Sequence, residues 1–198
     1  MRKKSQYEKL ISSLTDRELL VHLYGTQIFL LTISVFLGMI VIESYSAFFD
    51  ILKWHPLQIF VVGGGSGLVV VIIDMILMKY LPAAFYDDGG VNERIFRYRK
   101  TVHIAWIAAM IAISEELLFR GIIQTHFGLF ISSAIFALLH FRYLRNWFLF
   151  VNVVLLSFFI GFIYLLTENL FVTIFMHFII DFLLGLHIKM TKNTSSKS

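Results

Sequence analysis

Twenty consecutive residues, Trp147 to Leu166, pass without a single charged side chain. A helix of that length rises about 30 Å, the thickness of a bilayer's hydrocarbon core, so the run reads as a membrane span unless a large protein core surrounds it. A chain of 198 residues has no room for such a core, because the pattern recurs. Six apolar segments read as helices: Tyr24 to Phe49, Leu57 to Tyr80, Val102 to Ile123, Phe127 to Phe141, Trp147 to Leu166, and Leu170 to Ile188. Hydrophobic residues make up 58% of the chain and charged residues 15%, against roughly 45–50% and about 25% in soluble domains. The surplus must face lipid. The expected fold class is therefore all-α, a polytopic membrane helix bundle of about six transmembrane helices. An interfacial segment (1–23) precedes the transmembrane domain (24–188), and a polar tail (189–198), expected to be disordered, follows it. The chain has no cysteine, which removes disulfides, thiolate metal sites and a cysteine nucleophile together.

The cations set the topology. Arg2, Lys3, Lys4, Lys9 and Arg17 precede the first segment, Lys79, Arg94, Arg97, Arg99 and Lys100 flank the second connection, and Arg142 and Arg145 fill the fourth. Lys189, Lys192 and Lys197 lie in the tail, whereas the first connection has only Lys53 and the third and fifth have no Lys or Arg. Because positively charged loops stay cytoplasmic, this alternation predicts an integral protein of the cell membrane with both termini inside. The net charge of +4 is thus distributed as a topology signal, and nucleic acid is not an expected partner. The expected surroundings are the lipid bilayer. No small-residue cleavage site follows the first apolar run, so a cleaved signal peptide is not expected. Thr15, Asp16, Arg17 and Glu18 form a capping-box pattern ahead of Leu19, Leu20 and Leu23, which predicts a helix start at the membrane surface.

Charges within a span cost about 2.5–3.5 kcal/mol each on insertion scales, so a cluster of them needs a reason. The third segment reads Ser114-Glu115-Glu116-Leu117-Leu118-Phe119-Arg120-Gly121. Glu116 and Arg120 stand at i and i+4 with the acid first, the favourable order for an ion pair. Glu115 lies about 100° away around the helix and needs a partner from another helix. His140 ends the fourth segment, four residues after Phe136; His177 and Asp181 share one face of the sixth. His22, His55, His103, His126 and His187 fit the role of boundary anchors. Glu115, His140, His177 and Asp181 together offer two carboxylates and two imidazoles from three helices, the composition of a water-activating or metal-binding site.

These residues, Glu115-Glu116-Leu-Leu-Phe-Arg120, Phe136-Ala-Leu-Leu-His140 and His177-Phe-Ile-Ile-Asp181, resemble the motifs EExxxR, FxxxH and Hxxx(N/D) of the CAAX protease and bacteriocin-processing family. The match covers about the last 90 residues. The resemblance implies an intramembrane endopeptidase acting on a peptide or membrane-protein substrate. Glu115 would activate water and His140 would assist it, with His177 and Asp181 orienting the substrate carbonyl or stabilising the oxyanion. Glu116 and Arg120 would lock the third helix in register. An ionised Asp181 cannot donate to an oxyanion, so His177 would then carry that role or Asp181 would ligate a metal. The cofactor stays open between a divalent metal such as zinc, held by His140, His177 and Asp181, and none. The sequence reports neither the physiological substrate nor whether it is prenylated.

Rival readings exist. Gly64-Gly65-Ser66-Gly67 resembles the GxSG nucleophile of rhomboid serine proteases, although no glycine follows His177 closely; the glycine run also suits close helix packing or a local break. No HExxH pair occurs, and neither Asp74 nor Asp181 sits in a GxGD context. A non-catalytic peptide binder, such as a bacteriocin self-immunity protein, or a small transporter using Glu115 and Asp74, belongs to a different class. Retention of all three motifs favours catalysis, since a binder does not require Glu115 and His140 together. Depth poses a problem: Glu115 lies about 20 Å along the helix from Thr101, yet His140 adjoins the basic Arg142. The fourth helix would have to continue toward Trp147, or the third would have to enter the membrane late, around a cavity in the cytoplasmic half.

Overall fold

The computed structural model of the chain describes residues 11, 13–42 and 44–195, with backbone alone at 45, 47, 141, 145 and 192–195. Helix α1 (Asp16–Val41) starts where the capping box places it: Thr15 Oγ1 accepts from the Glu18 amide, and the Glu18 carboxylate accepts from the Thr15 amide at 2.7 Å. It stops at Ile42, short of the expected Phe49, and a separate helix α2 (Tyr45–Asp50) follows. A π-helical turn (Gln58–Gly64) opens the second span and continues as α3 (Gly65–Tyr80). After the short α4 (Val91–Phe96) comes α5 (Thr101–Glu116), which passes into a second π-helix (Leu117–Gln124) and then α6 (Thr125–Leu139). Helices α7 (Trp147–Thr167) and α8 (Leu170–Ser195) complete the bundle.

Among the described residues, five helical stretches are long and apolar enough to cross a bilayer: Asp16–Val41, Gln58–Tyr80, Thr101–Leu139, Trp147–Thr167 and Leu170–Thr191. Their apolar side chains point outward as well as inward; Ile28, Phe29, Phe36 and Met39 of α1 are all more than 60% exposed. Such surface belongs against lipid, and the chain is an integral membrane protein.

The 39-residue stretch Thr101–Leu139 is not one rod. Gly128 has φ 83° and ψ 169°, a conformation that side chains with a Cβ rarely adopt. Ser132 Oγ donates to the Phe119 carbonyl at 2.7 Å across 13 residues, whereas a straight helix would separate them by about 20 Å. The Phe119 and Phe136 rings also meet at 4.8 Å. The chain therefore folds back at Gly128, and α6 returns antiparallel alongside the second π-helix, so the third and fourth expected segments are two arms of a tight hairpin.

The two faces of the bundle differ. One gathers the start of α1, the 81–100 and 140–146 connections and the end of α8. Arg94 pairs with Asp16 at 2.8 Å, Arg142 donates to Asn92 at 3.3 Å, and Asn146 Nδ2 donates to the carbonyls of Ala84, Phe85 and Asp87. Lys189 Nζ donates to Thr101 Oγ1 at 3.1 Å, and Ile188 packs on the core. These contacts carry α8 as helix to Ser195, where disorder had been expected from Lys189 onward; residues 196–198, like Arg2, Lys3, Lys4 and Lys9, lie outside the described residues. At the opposite face Asn169 ties the start of α8 to the Lys53 carbonyl at 2.8 Å and to Gln58 at 3.0 Å.

Of the two roles expected of it, the glycine run serves close packing, and the helix continues through it without a break. It lies at the change from π to α geometry, and it brings the second span against α8: a Cβ on Gly63 would lie 2.5 Å from the Val172 carbonyl oxygen, and one on Gly67 2.9 Å from that of Met176. Backbones approach this closely only where small residues line the seam.

Candidate active site

Glu115 and Glu116 close α5 at its junction with the π-helix, a helical irregularity that recurs at functional sites. Glu116 is fully buried and Arg120 is 1% exposed. Arg120 Nη1 donates to Glu116 Oε1 at 2.9 Å, as the i, i+4 spacing predicts. Its Nη2 donates to the Ser157 carbonyl of α7 at 2.9 Å, and its guanidinium lies 5.1 Å from the Phe136 ring centre. One cation thereby ties the third span to α6 and α7, and the charge is neutralised inside the bundle.

Glu116 also holds a residue that sequence spacing did not assign to it. His177 Nδ1 donates to Glu116 Oε1 at 2.8 Å. With Nδ1 carrying the proton, the ring presents Nε2 to Asp181 Oδ2 at 3.6 Å and to Glu115 Oε2 at 4.0 Å. The structure thus brings together Glu115, Glu116, Arg120, His177 and Asp181. Access is graded: the His177 side chain is 5% exposed and that of Asp181 26%, so the cluster opens on the Asp181 side, toward the basic face.

His140 lies at the end of α6. Its Nδ1 donates to the Phe136 carbonyl at 2.8 Å and its ring stacks on Phe136 at 4.4 Å, which leaves Nε2 free to act. It is within electrostatic range of His177 and Asp181, and among the described residues no hydrogen bond joins it to the cluster. The hairpin resolves the depth problem in a way neither sequence-based alternative anticipated. Continuing the antiparallel register in which Ser132 faces Phe119 puts His140 opposite Ile111, one turn from Glu115 toward the basic face. Helix α6 stops at Leu139, and the connection through Arg142 follows it as a 3-10 turn.

The remaining sequence candidates lie apart from the cluster. His103 stacks on Tyr24, and His126 bonds its own helix at the Ile122 carbonyl. All described polar partners of His177 are carboxylates, and Ser66 is not among them. No three His, Asp or Glu side chains among the described residues converge so as to hold a metal ion. His140 makes no described contact with His177 or Asp181, so the three residues expected to hold zinc are not gathered around one point and do not fit a metal as folded. Sequence reasoning missed two partners, the Glu116–His177 bond and Ser157. Two adjacent acids with one i+4 cation between them were the available signal for the first; Ser157 is a lone hydroxyl in an apolar run and gave none.

Residues 98–183, which contain every member of the cluster, match the family described as type II CAAX prenyl endopeptidase Rce1-like. A relative from Bacillus subtilis (strain 168), the uncharacterized protein YpbD, is 47% identical over 135 residues, covering 67% of this chain and 71% of that protein. No solved structure matches.

Proposed function

Because the chain belongs to the CAAX protease and bacteriocin-processing family, we propose that it is an intramembrane endopeptidase in which Glu115 activates water against a peptide bond. The observation that carries this reading is the meeting of Glu115, His177 and Asp181 within 4.0 Å at the partly accessible end of a buried cluster. Glu115 takes a proton from water as the hydroxide adds to the carbonyl carbon. The tetrahedral intermediate collapses with cleavage of the C–N bond, and the leaving amine receives the proton from Glu115. His140, through its free Nε2, holds the attacking water. His177, flanked by three carboxylates, carries a second proton on Nε2 and donates from it to the developing oxyanion, while Asp181 orients that ring from the same helix face.

Hydrolysis consumes water that the lipid core does not supply, and the open side at Asp181 is where water enters. The concentration of Arg94, Arg97, Arg99, Lys100 and Arg142 at that face supports the reading that it is the cytoplasmic side of the cell membrane.

The test is proteolysis of a fluorogenic peptide library by the detergent-purified protein beside Glu115→Ala and Ser66→Ala. Cleavage by the wild type and by Ser66→Ala, but not by Glu115→Ala, is expected. Loss in Ser66→Ala with retention in Glu115→Ala would replace this reading with a serine mechanism.

A further inference from the structure

Ser114, Glu115 and Glu116 are consecutive, so their side chains leave the helix about 100° apart. The outer two are tied to different helices. Glu116 binds His177 of α8 at 2.8 Å, and Ser114 Oγ donates to Gln27 Oε1 of α1 at 2.5 Å. Between them the Glu115 carboxylate makes no hydrogen bond among the described residues, and its nearest charged partner is His177 at 4.0 Å. A base that must reach a water molecule cannot be tethered by its own oxygens, so its direction has to be set by its neighbours.

The Gln27 contact is not needed to satisfy Ser114. Its single proton has two other acceptors in reach, the Met110 carbonyl at 2.8 Å and the Ile111 carbonyl at 3.1 Å, the usual back-bonds of a helical serine, and the shorter 2.5 Å approach of Gln27 Oε1 draws it across to α1. Gln27 is 5% exposed on a helix whose other faces meet lipid, and a buried carboxamide there is costly unless it is bonded across helices. It also lies outside the 98–183 region that carries the family motifs.

We propose that Gln27 is a positioning residue: through Ser114 it fixes the rotation of α5 from the α1 side, opposite the Glu116–His177 bond, and so aims the Glu115 carboxylate. The proposal rests on the endopeptidase reading. It gives the N-terminal helix a part in the reaction beyond anchoring.

Gln27→Met keeps length and volume but removes the bond, and Ser114→Ala removes it from the other side. Each is expected to lower kcat about tenfold, since small misplacements of a catalytic group are expensive, with KM and the unfolding temperature close to wild type. The double variant loses no more than the worse single one, because both remove one contact. Ser34→Ala, whose hydroxyl bonds only the Leu30 carbonyl of its own helix at 2.8 Å, leaves kcat unchanged. Wild-type kcat in both single variants, losses that multiply in the double variant, or losses that follow the unfolding temperature would each overturn the proposal. Glu115→Gln run alongside separates the two claims. If it is inactive the endopeptidase reading stands whatever Gln27 does, and if it still cleaves, that reading falls and the positioning role with it.

Discussion

Replacing Arg120 by Met removes three things at once: the 2.9 Å bond to Glu116, the 2.9 Å bond to the Ser157 carbonyl, and the cation over the Phe136 ring. The dominant cost is what remains. Glu116 is fully buried, and its second oxygen already has no hydrogen-bond partner, so the deletion leaves a carboxylate with only His177 beside it. Breaking one side of a buried ion pair costs about 3–5 kcal/mol. At about 2–4 °C per kcal/mol for a chain of this size, unfolding should fall by ~6–20 °C. Removing both charges is cheaper than removing one, because neutral groups of similar shape can replace a buried pair nearly without cost. Arg120→Met with Glu116→Gln should therefore unfold within about 4 °C of wild type, and Gln still accepts from His177. The assay is thermal unfolding of the detergent-solubilised proteins followed by tryptophan fluorescence. A single variant that loses less than about 1 kcal/mol, or a double variant no more stable than the single, would refute the reasoning that the pair is a neutralised buried unit.

Gly63→Ala places a methyl 2.5 Å from the Val172 carbonyl oxygen, so the π-helical turn that opens the second span must move away from α8; cleavage should fall by at least about tenfold, measured as kcat on the best library peptide. Because the proposed step takes the water's proton on Glu115 and needs no metal-bound hydroxide, a strong chelator should leave the rate within about twofold of the untreated enzyme, and a large loss restored by zinc would reverse the assignment. A phosphatase fused after Lys192 should stay inactive while a fluorescent protein at the same position folds, and phosphatase activity there would invert the topology.

What could be read in advance follows from where the deciding forces act. Thr15 and Glu18 cap within one turn, Leu57–Tyr80 lies between Pro56 and Pro82, and Trp147–Leu166 lies between Asn146 and Thr167, so their helices end within a residue of the expected positions. The end of α1 was overrun because Ala47, Phe48 and Phe49 resume the apolar run after Glu43, Ser44 and Ser46, the polar stretch at which the helix stops. The short fourth segment was legible, Phe127 to Phe141 against the observed Thr125–Leu139, but the tightness of the reversal at Gly128 was not, because it is set by packing through Ser132 and Phe136. Arg120 and Glu116 were legible because i and i+4 meet on any helix. The Glu116–His177 bond links residues 61 apart and depends on how α5 and α8 are rotated, which the glycine seam and Gln27 help to set.

The central claim is that Glu115 is the base. Its most direct test is kcat for Glu115→Gln in reconstituted vesicles, at an unfolding temperature matching wild type. The substitution keeps shape and removes basicity, so a loss of about 10²–10⁴-fold at unchanged KM is expected. A folded Glu115→Gln protein that cleaves as fast as wild type would contradict the account.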